Sequence, residues 1–210
     1  MTTLLVIAKE PVPGRVKTRL TPPCTPRQAA RLAEAALADT LHTALASAAD
    51  RCVLVLDGAP GPWLPTGVEV VPQETGGLDR RIAGAFARCA GPALLIGMDT
   101  PQITPGLLEP ALDPGAYGPG SAWFGPAADG GFWALGLCDP DPALLLGVPM
   151  STPTTGAVQR SRLTAAGLAV RDLPVLRDVD TARDASLAAA EAPGGQFAFA
   201  VRELATAGVL

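Results

Sequence analysis

The stretch Thr3–Leu20, TLLVIAKEPVPGRVKTRL, joins a short apolar run to a loop dense in cations. The run TLLVIA (Thr3–Ala8) is apolar without alternation, as a strand buried on both faces is. Such strands belong to parallel sheets covered by helices, where ligands bind outside the carboxyl ends of the strands. The loop leaves that end and carries Lys9, Arg15, Lys17 and Arg19. Lysine acts as a mobile point charge and arginine as a planar two-pronged donor, a combination suited to phosphates. Gly14 allows close backbone approach or a positive φ. The bland alternative is a solvated charged loop.

Composition narrows the classes. The 210 residues suit one domain, taken here as 1–210, and 48% of them are hydrophobic, enough for a sizeable core. The formal net charge of −4 gives no global basic field, so nucleic acid is not expected as a partner. Arginine is plentiful, whereas Lys9 and Lys17 are the only two lysines. A GC-rich coding bias accounts for that scarcity and makes two lysines in one loop less accidental. Cys24, Cys52, Cys89 and Cys138 form no CxxC pair and read as reduced, mostly buried thiols. A zinc site is not expected with a single histidine, His42. The first apolar run is too short to span a bilayer and has no charged leader. The expected setting is the cytoplasm, away from membranes.

The rest of the chain alternates strands and helices. Thr25, Pro26 and Gln28 read as N-cap, first helical position and capping-box partner of a helix running to about Ala49. CVLVLD (Cys52–Asp57), GVEVVPQ (Gly67–Gln73) and PALLIGMD (Pro92–Asp99) read as strands, and GLDRRIAGAFARCA (Gly77–Ala90) as a helix. Thr104–Leu112 reads as a short helix. SAWFGPAADGGFWALGL (Ser121–Leu137) reads as two strands flanking a turn at Ala128–Gly131. A helix over Thr154–Gly167, a strand LAVRDLP, a helix capped by Thr181 with Asp184, and a terminal helix complete the chain. The expected class is α/β with a mostly parallel sheet and a late antiparallel excursion.

Four features carry candidate chemistry. The first is the opening loop. Its GRVKT segment is no Walker A loop, because Val16 stands where glycine must precede the lysine and no helix starts there. A dinucleotide Rossmann fingerprint is also absent. The second is IGMDTP (Ile96–Pro101), which ends an apolar strand on Asp99. A carboxylate there is costly unless it is paired or binds a metal, and hard oxygens suit Mg²⁺. The third is GPAADGG (Gly125–Gly131). It is either a plain hairpin turn or a place where a substrate lies on the backbone while Asp129 bonds a sugar hydroxyl or metal-bound water. Phe132 and Trp133 are a ring wall or core. The fourth is RDVDTARD (Arg177–Asp184), where Asp178 and Asp180 alternate on an extended segment and face one way. They are a second metal-ligand source, or a turn residue and its neighbours before a helix cap. His42 reads as an ordinary helix residue.

In this order the four features resemble the nucleotide-diphospho-sugar transferase superfamily, and more narrowly a bacterial family of glycosyltransferases. The family pattern AK-x-P-x-PG-x-VKTRL matches Ala8–Leu20, G-x-D-x-P matches Gly97–Pro101, GP-x-x-DGG matches Gly125–Gly131, and D-x-DT-x-x-D matches Asp178–Asp184. One departure is QETGGLDRR (Gln73–Arg81), where relatives tend to carry Gly-Asp-Leu-Gly, so no role is assigned to Asp79 or Arg80. The resemblance implies a GT-A type fold, a Rossmann-like three-layer sandwich. It implies nucleotide contacts from Ala8, Lys9, Gly14, Arg15, Lys17, Thr18, Arg19 and Gly97, with Lys17 and Asp99 as the catalytic pair. Asp99 would hold Mg²⁺ or Mn²⁺, aided by Asp178 or Asp180. Asp129, Gly130 and Gly131 would meet the acceptor or sugar.

Two chemistries fit that implied scaffold. In glycosyl transfer an acceptor attacks the sugar carbon and a nucleoside diphosphate leaves. In nucleotidylyl transfer a phosphate or phosphonate acceptor attacks the α-phosphorus of a triphosphate, as in phospholactate guanylyltransferases. A nucleotide-binding module without activity is the third reading. Partners are the nucleotide or nucleotide-sugar and a small acceptor. A homodimer would bury surface at Trp63, Val68 or the terminal helix.

Overall fold

A computed structural model describes residues 1–113 and 115–210. Seven strands form one sheet: β1 (Thr3–Lys9), β2 (Arg51–Asp57), β3 (Glu69–Pro72), β4 (Ala93–Gly97), β5 (Ser121–Pro126), β6 (Phe132–Leu137) and β7 (Ala169–Asp172). Their spatial order is β3-β2-β1-β4-β6-β5-β7. All neighbours pair in parallel except β6, which runs antiparallel to both β4 and β5. This is the expected α/β sheet, with its antiparallel excursion at the Ala128–Gly131 turn.

Among the described residues there are six α-helices, α1 (Pro26–Leu45), α2 (Leu78–Phe86), α3 (Pro105–Leu112), α4 (Thr155–Ala165), α5 (Ala182–Glu191) and α6 (Gln196–Thr206), of which α1 to α4 pack on the sheet. Period-two alternation divides β1 between two cores. Leu4, Val6 and Ala8 face α1 and α3, through Leu37, Leu41 and Leu108. Leu5 faces α2 and α4, through Phe86 and Leu163. Each such buried aliphatic side chain contributes roughly 1.5–3 kcal/mol. A third cluster lies on the far side of α1, where Ala29, Leu32 and Ala36 meet Phe197 and Val201 of α6. The alanine-rich sequence of α1 makes sense here, because the helix packs on both sides.

The sequence places the helix starts well. Thr25 and Gln28 form a reciprocal capping box at α1, and Thr181 and Asp184 form another at α5. The register then brings strand ends together: Lys9 lies level with Asp57, and Ile7 with Gly97. The chain leaves β1 toward β2 on one side, while β4 lies on the other. That reversal opens a crevice beyond the carboxyl ends of β1 and β4.

Candidate functional site

The crevice is a cleft of about 790 Å³. Lys17 is its pivot. Its backbone takes the left-handed conformation (φ 48°, ψ 39°), which costs a non-glycine residue about 1–2 kcal/mol. The turn aims the side chain inward, leaving it only 7% exposed. There Nζ lies 2.5 Å from Asp99 Oδ1 and donates to the Val179 carbonyl at 2.5 Å. Asp180 stands 3.9 Å away and pairs with Arg19 at 2.8 Å. Val179 N donates to the Asp99 carbonyl at 2.9 Å, so the β4 end and the Asp178–Asp180 segment are fastened to each other as well as to Lys17.

Asp178 sits beside this knot without an ion pair among the described residues. Its Oδ1 accepts only the Thr100 hydroxyl, at 3.3 Å. Burial pushes its carboxyl up to about 7, and the carboxylates of Asp99 and Asp129 push the same way. Lys17 and the Thr100 bond oppose the rise without cancelling it. Burial, more than the neighbouring charges, therefore disfavours the ionised form of Asp178.

Most of the residues read from the sequence come together here. Ala8, Lys9, Arg15, Lys17, Thr18, Arg19, Gly97, Asp99, Asp129, Gly131, Asp178 and Asp180 all line the cleft. Gly14 and Gly130 do not lie on its wall. Gly14 holds φ +80° with no atom near the place of a Cβ, so it serves the turn of the loop. Gly130, at φ +90°, is pressed against the Pro153 carbonyl, and its own carbonyl accepts from Gly156 N at 2.8 Å. A side chain there would push the loop before α4 off the hairpin. Trp133 is core and bonds the Pro174 carbonyl. His42 is an exposed helix residue bonded to the Ala38 carbonyl.

Gln73 and Arg81, without a role in the sequence reading, also line the cleft. Gln73 Nε2 donates to the Ala8 carbonyl at 2.7 Å and to Val55 at 3.1 Å. Arg81 reaches Asp57 at 2.8 Å and Gln73 Oε1 at 3.2 Å. Arg80 does not line the cleft, and Asp79 instead accepts from Gly147 N at 2.9 Å. The segment Met150–Thr155, to which the sequence assigns no role beyond a helix starting at Thr154, forms much of the far wall.

The sequence pattern of DUF2064, described as "Uncharacterized protein conserved in bacteria", matches residues 31–152, more than half of the 210. The chain belongs to the DUF2064 family. The match takes in Asp99 and Asp129, while the Lys17 loop and Asp178 lie outside it. Solved structures share the fold. A protein of Desulfovibrio desulfuricans G20, provisionally described as a nucleotide-diphospho-sugar transferase, is 24% identical with a TM-score of 0.85, over 98% of this chain and 95% of that one. Rv0371c of Mycobacterium tuberculosis H37Rv, solved as a complex with manganese, is 24% identical with a TM-score of 0.56, over 89% and 96%. A CMP:2-keto-3-deoxy-manno-octonic acid synthetase complexed with CTP is 14% identical with a TM-score of 0.53, over 91% and 97%. No curated protein matches the sequence. The DUF2064 chain thus has the nucleotide-diphospho-sugar transferase fold. No helix among the described residues is long and apolar enough to cross a membrane.

Proposed function

We propose that this protein is a divalent-metal-dependent transferase whose donor is a nucleotide or nucleotide-sugar, acting as a glycosyltransferase. The observation that carries this reading is the 2.5 Å approach of Lys17 to Asp99 inside the cleft at the strand ends. A lysine, further cations and a carboxylate around one cavity suit a polyphosphate and its metal.

The donor chemistry fits Mg²⁺ or Mn²⁺. The nearby side chains are hard oxygens, and Asp178 lacks a cationic partner of its own. Asp180 is already neutralised by Arg19. We assign the metal to the strand-end Asp99 and the unpaired Asp178, with Asp180 positioning Arg19 and Lys17; Asp99 would then exchange its Lys17 partner for the ion. Among the described residues no three His, Cys, Asp or Glu side chains form a ready-made cage. That suits Mg²⁺, which takes one or two carboxylates and completes its shell with phosphate and water. When bound, the metal would supply charge neutralisation on the diphosphate.

The chain's own residues bind and orient. Lys9, Arg15, Lys17 and Arg19 would hold the phosphates, with Thr18 and the backbone at Ala8 and Gly97 beside them. Transfer breaks the bond between the sugar carbon and the diphosphate oxygen and forms one to the acceptor hydroxyl oxygen, whose proton passes to the departing diphosphate. The charge that gathers on the departing diphosphate is what Lys17 and its neighbours stabilise. Asp129 and Gly131 would meet the sugar or acceptor. The density of cations near Lys17 also suits a triphosphate, which keeps nucleotidylyl transfer as the second reading. Product analysis separates the two. Nucleoside diphosphate released from a sugar nucleotide supports glycosyl transfer, and pyrophosphate released from a triphosphate supports the other. Metal-dependent nucleotide binding with neither product would leave a binding module.

A further inference from the structure

The cleft has two unlike walls. All five of its basic residues, Lys9, Arg15, Lys17, Arg19 and Arg81, come from the first 81 positions. The opposite wall is built from Asp129, Gly131, Phe132 and Trp133 of the hairpin and from Met150–Pro153 with Thr155. Among the described residues it carries no Lys, Arg or His. Arg160 and Arg177, the nearest basic residues in sequence to Thr155 and Asp178, are bound to Asp172 and Asp184 instead. The wall offers the Asp129 carboxylate, the ring of Phe132, the thioether of Met150 and the hydroxyls of Ser151 and Thr152.

This wall is firmly built. Gly156 N donates to the Gly130 carbonyl at 2.8 Å, and the Thr155 hydroxyl donates to the Pro149 carbonyl at 2.8 Å while accepting from Thr152 N. Ser151 holds a left-handed φ of 58°, and its hydroxyl makes no hydrogen bond among the described residues. A second phosphate placed here would lie beside Asp129, with no cation on this wall to neutralise it and part of its hydration removed. A neutral polyol meets a carboxylate that accepts hydrogen bonds from hydroxyls, the unbonded hydroxyl of Ser151, and apolar surface for its carbon face; the Thr152 hydroxyl is already bonded to Thr154 and Thr155.

We propose that the Asp129 and Met150–Thr155 wall is a subsite for a neutral, hydroxyl-bearing group of sugar type, and that it excludes a phosphorylated acceptor. The assignment rests on the reading of the opposite wall as a nucleotide-phosphate site, and it separates glycosyl from nucleotidylyl transfer to a phosphate. The test is a melting experiment on the whole chain, with a nucleoside diphosphate panel and Mg²⁺ first, then added methyl glycosides or the corresponding sugar phosphates. The nucleoside diphosphate should raise Tm, some neutral glycosides should raise it further, and the sugar phosphates should not. Ser151→Lys adds a cation without removing a hydrogen bond, and should tighten sugar-phosphate binding by at least about tenfold in the same ternary mixture. No response to any nucleotide defeats the underlying nucleotide reading. A normal nucleotide response, followed by sugar phosphates that stabilise the wild type as well as the glycosides do, overturns the subsite alone. So does the absence of any glycoside response.

Discussion

Two hollows of this molecule differ in what their charges are doing. One is the strand-end cleft. The other, about 420 Å³, lies between α1, α6 and the Pro193–Gln196 turn, with Trp63 and Phe199 on its walls. In the second hollow the two arginines are already engaged. Arg31 is paired with Glu203, and Arg202 donates to the Pro193 carbonyl at 2.9 Å. In the cleft, Lys9 and Arg15 form no ion pair among the described residues, and Asp178 is a carboxylate without a cation. Both are concave, so the proposed function rests on the unpaired charged side chains of both signs that only the cleft gathers.

That contrast is easiest to break at Asp99. Asp99→Asn should lower turnover by on the order of 100- to 1000-fold while weak nucleotide binding persists, as read by product release and calorimetry. A variant with undiminished turnover would remove Asp99 from the chemistry. Lys17→Met should weaken nucleotide binding by roughly 10- to 100-fold, the worth of one charge-assisted contact. The same variant should bind Mn²⁺ more tightly in the absence of nucleotide, because Asp99 loses its resident cation. A parallel loss of both affinities would mean that Lys17 merely holds the fold.

The third expectation concerns pH. The folded Asp178 carboxyl titrates near 7 rather than at its ordinary 3.8. Between those values the folded chain holds a proton that the unfolded chain has lost. The metal-free protein should therefore lose stability as pH rises from about 4 to 7, then level off. The loss should be on the order of 1–2 kcal/mol after solvent screening, a few degrees in Tm. Asp178→Asn should flatten this slope, and so should Mg²⁺. A wild-type slope of opposite sign through this window, with Asp178→Asn leaving it unchanged, would refute the assignment. The smallest effect belongs to the other hollow: Phe199→Ser should leave nucleotide affinity within about twofold of wild type, since distant sites add independently.

Much of this could be read in the chain because its signals are local. Apolar runs without alternation marked β1, β2 and β4, and Thr25–Gln28 and Thr181–Asp184 marked helix starts. The cations of the opening loop and Asp99 lie at strand ends, so knowing the strands was enough to bring them together. What stayed hidden depends on register and on packing between distant segments. Gln73 and Arg81 reach the cleft because β3 ends beside β2 and α2 turns back over Asp57, and spacing alone does not reveal that. Alternation put Asp178 and Asp180 on one side, but only the reach of Arg19 distinguishes the neutralised carboxylate from the unpaired one. Nor does spacing reveal that Gly130 packs against the Pro153 carbonyl, off the cleft wall.

The most direct test of the whole account is calorimetric titration of a nucleoside diphosphate panel into wild type and Asp99→Asn, with and without Mg²⁺. The account predicts that Mg²⁺ strengthens wild-type binding and that most of this gain disappears in Asp99→Asn. Equal affinities with and without Mg²⁺ in the wild type, or an undiminished gain in the variant, would contradict it.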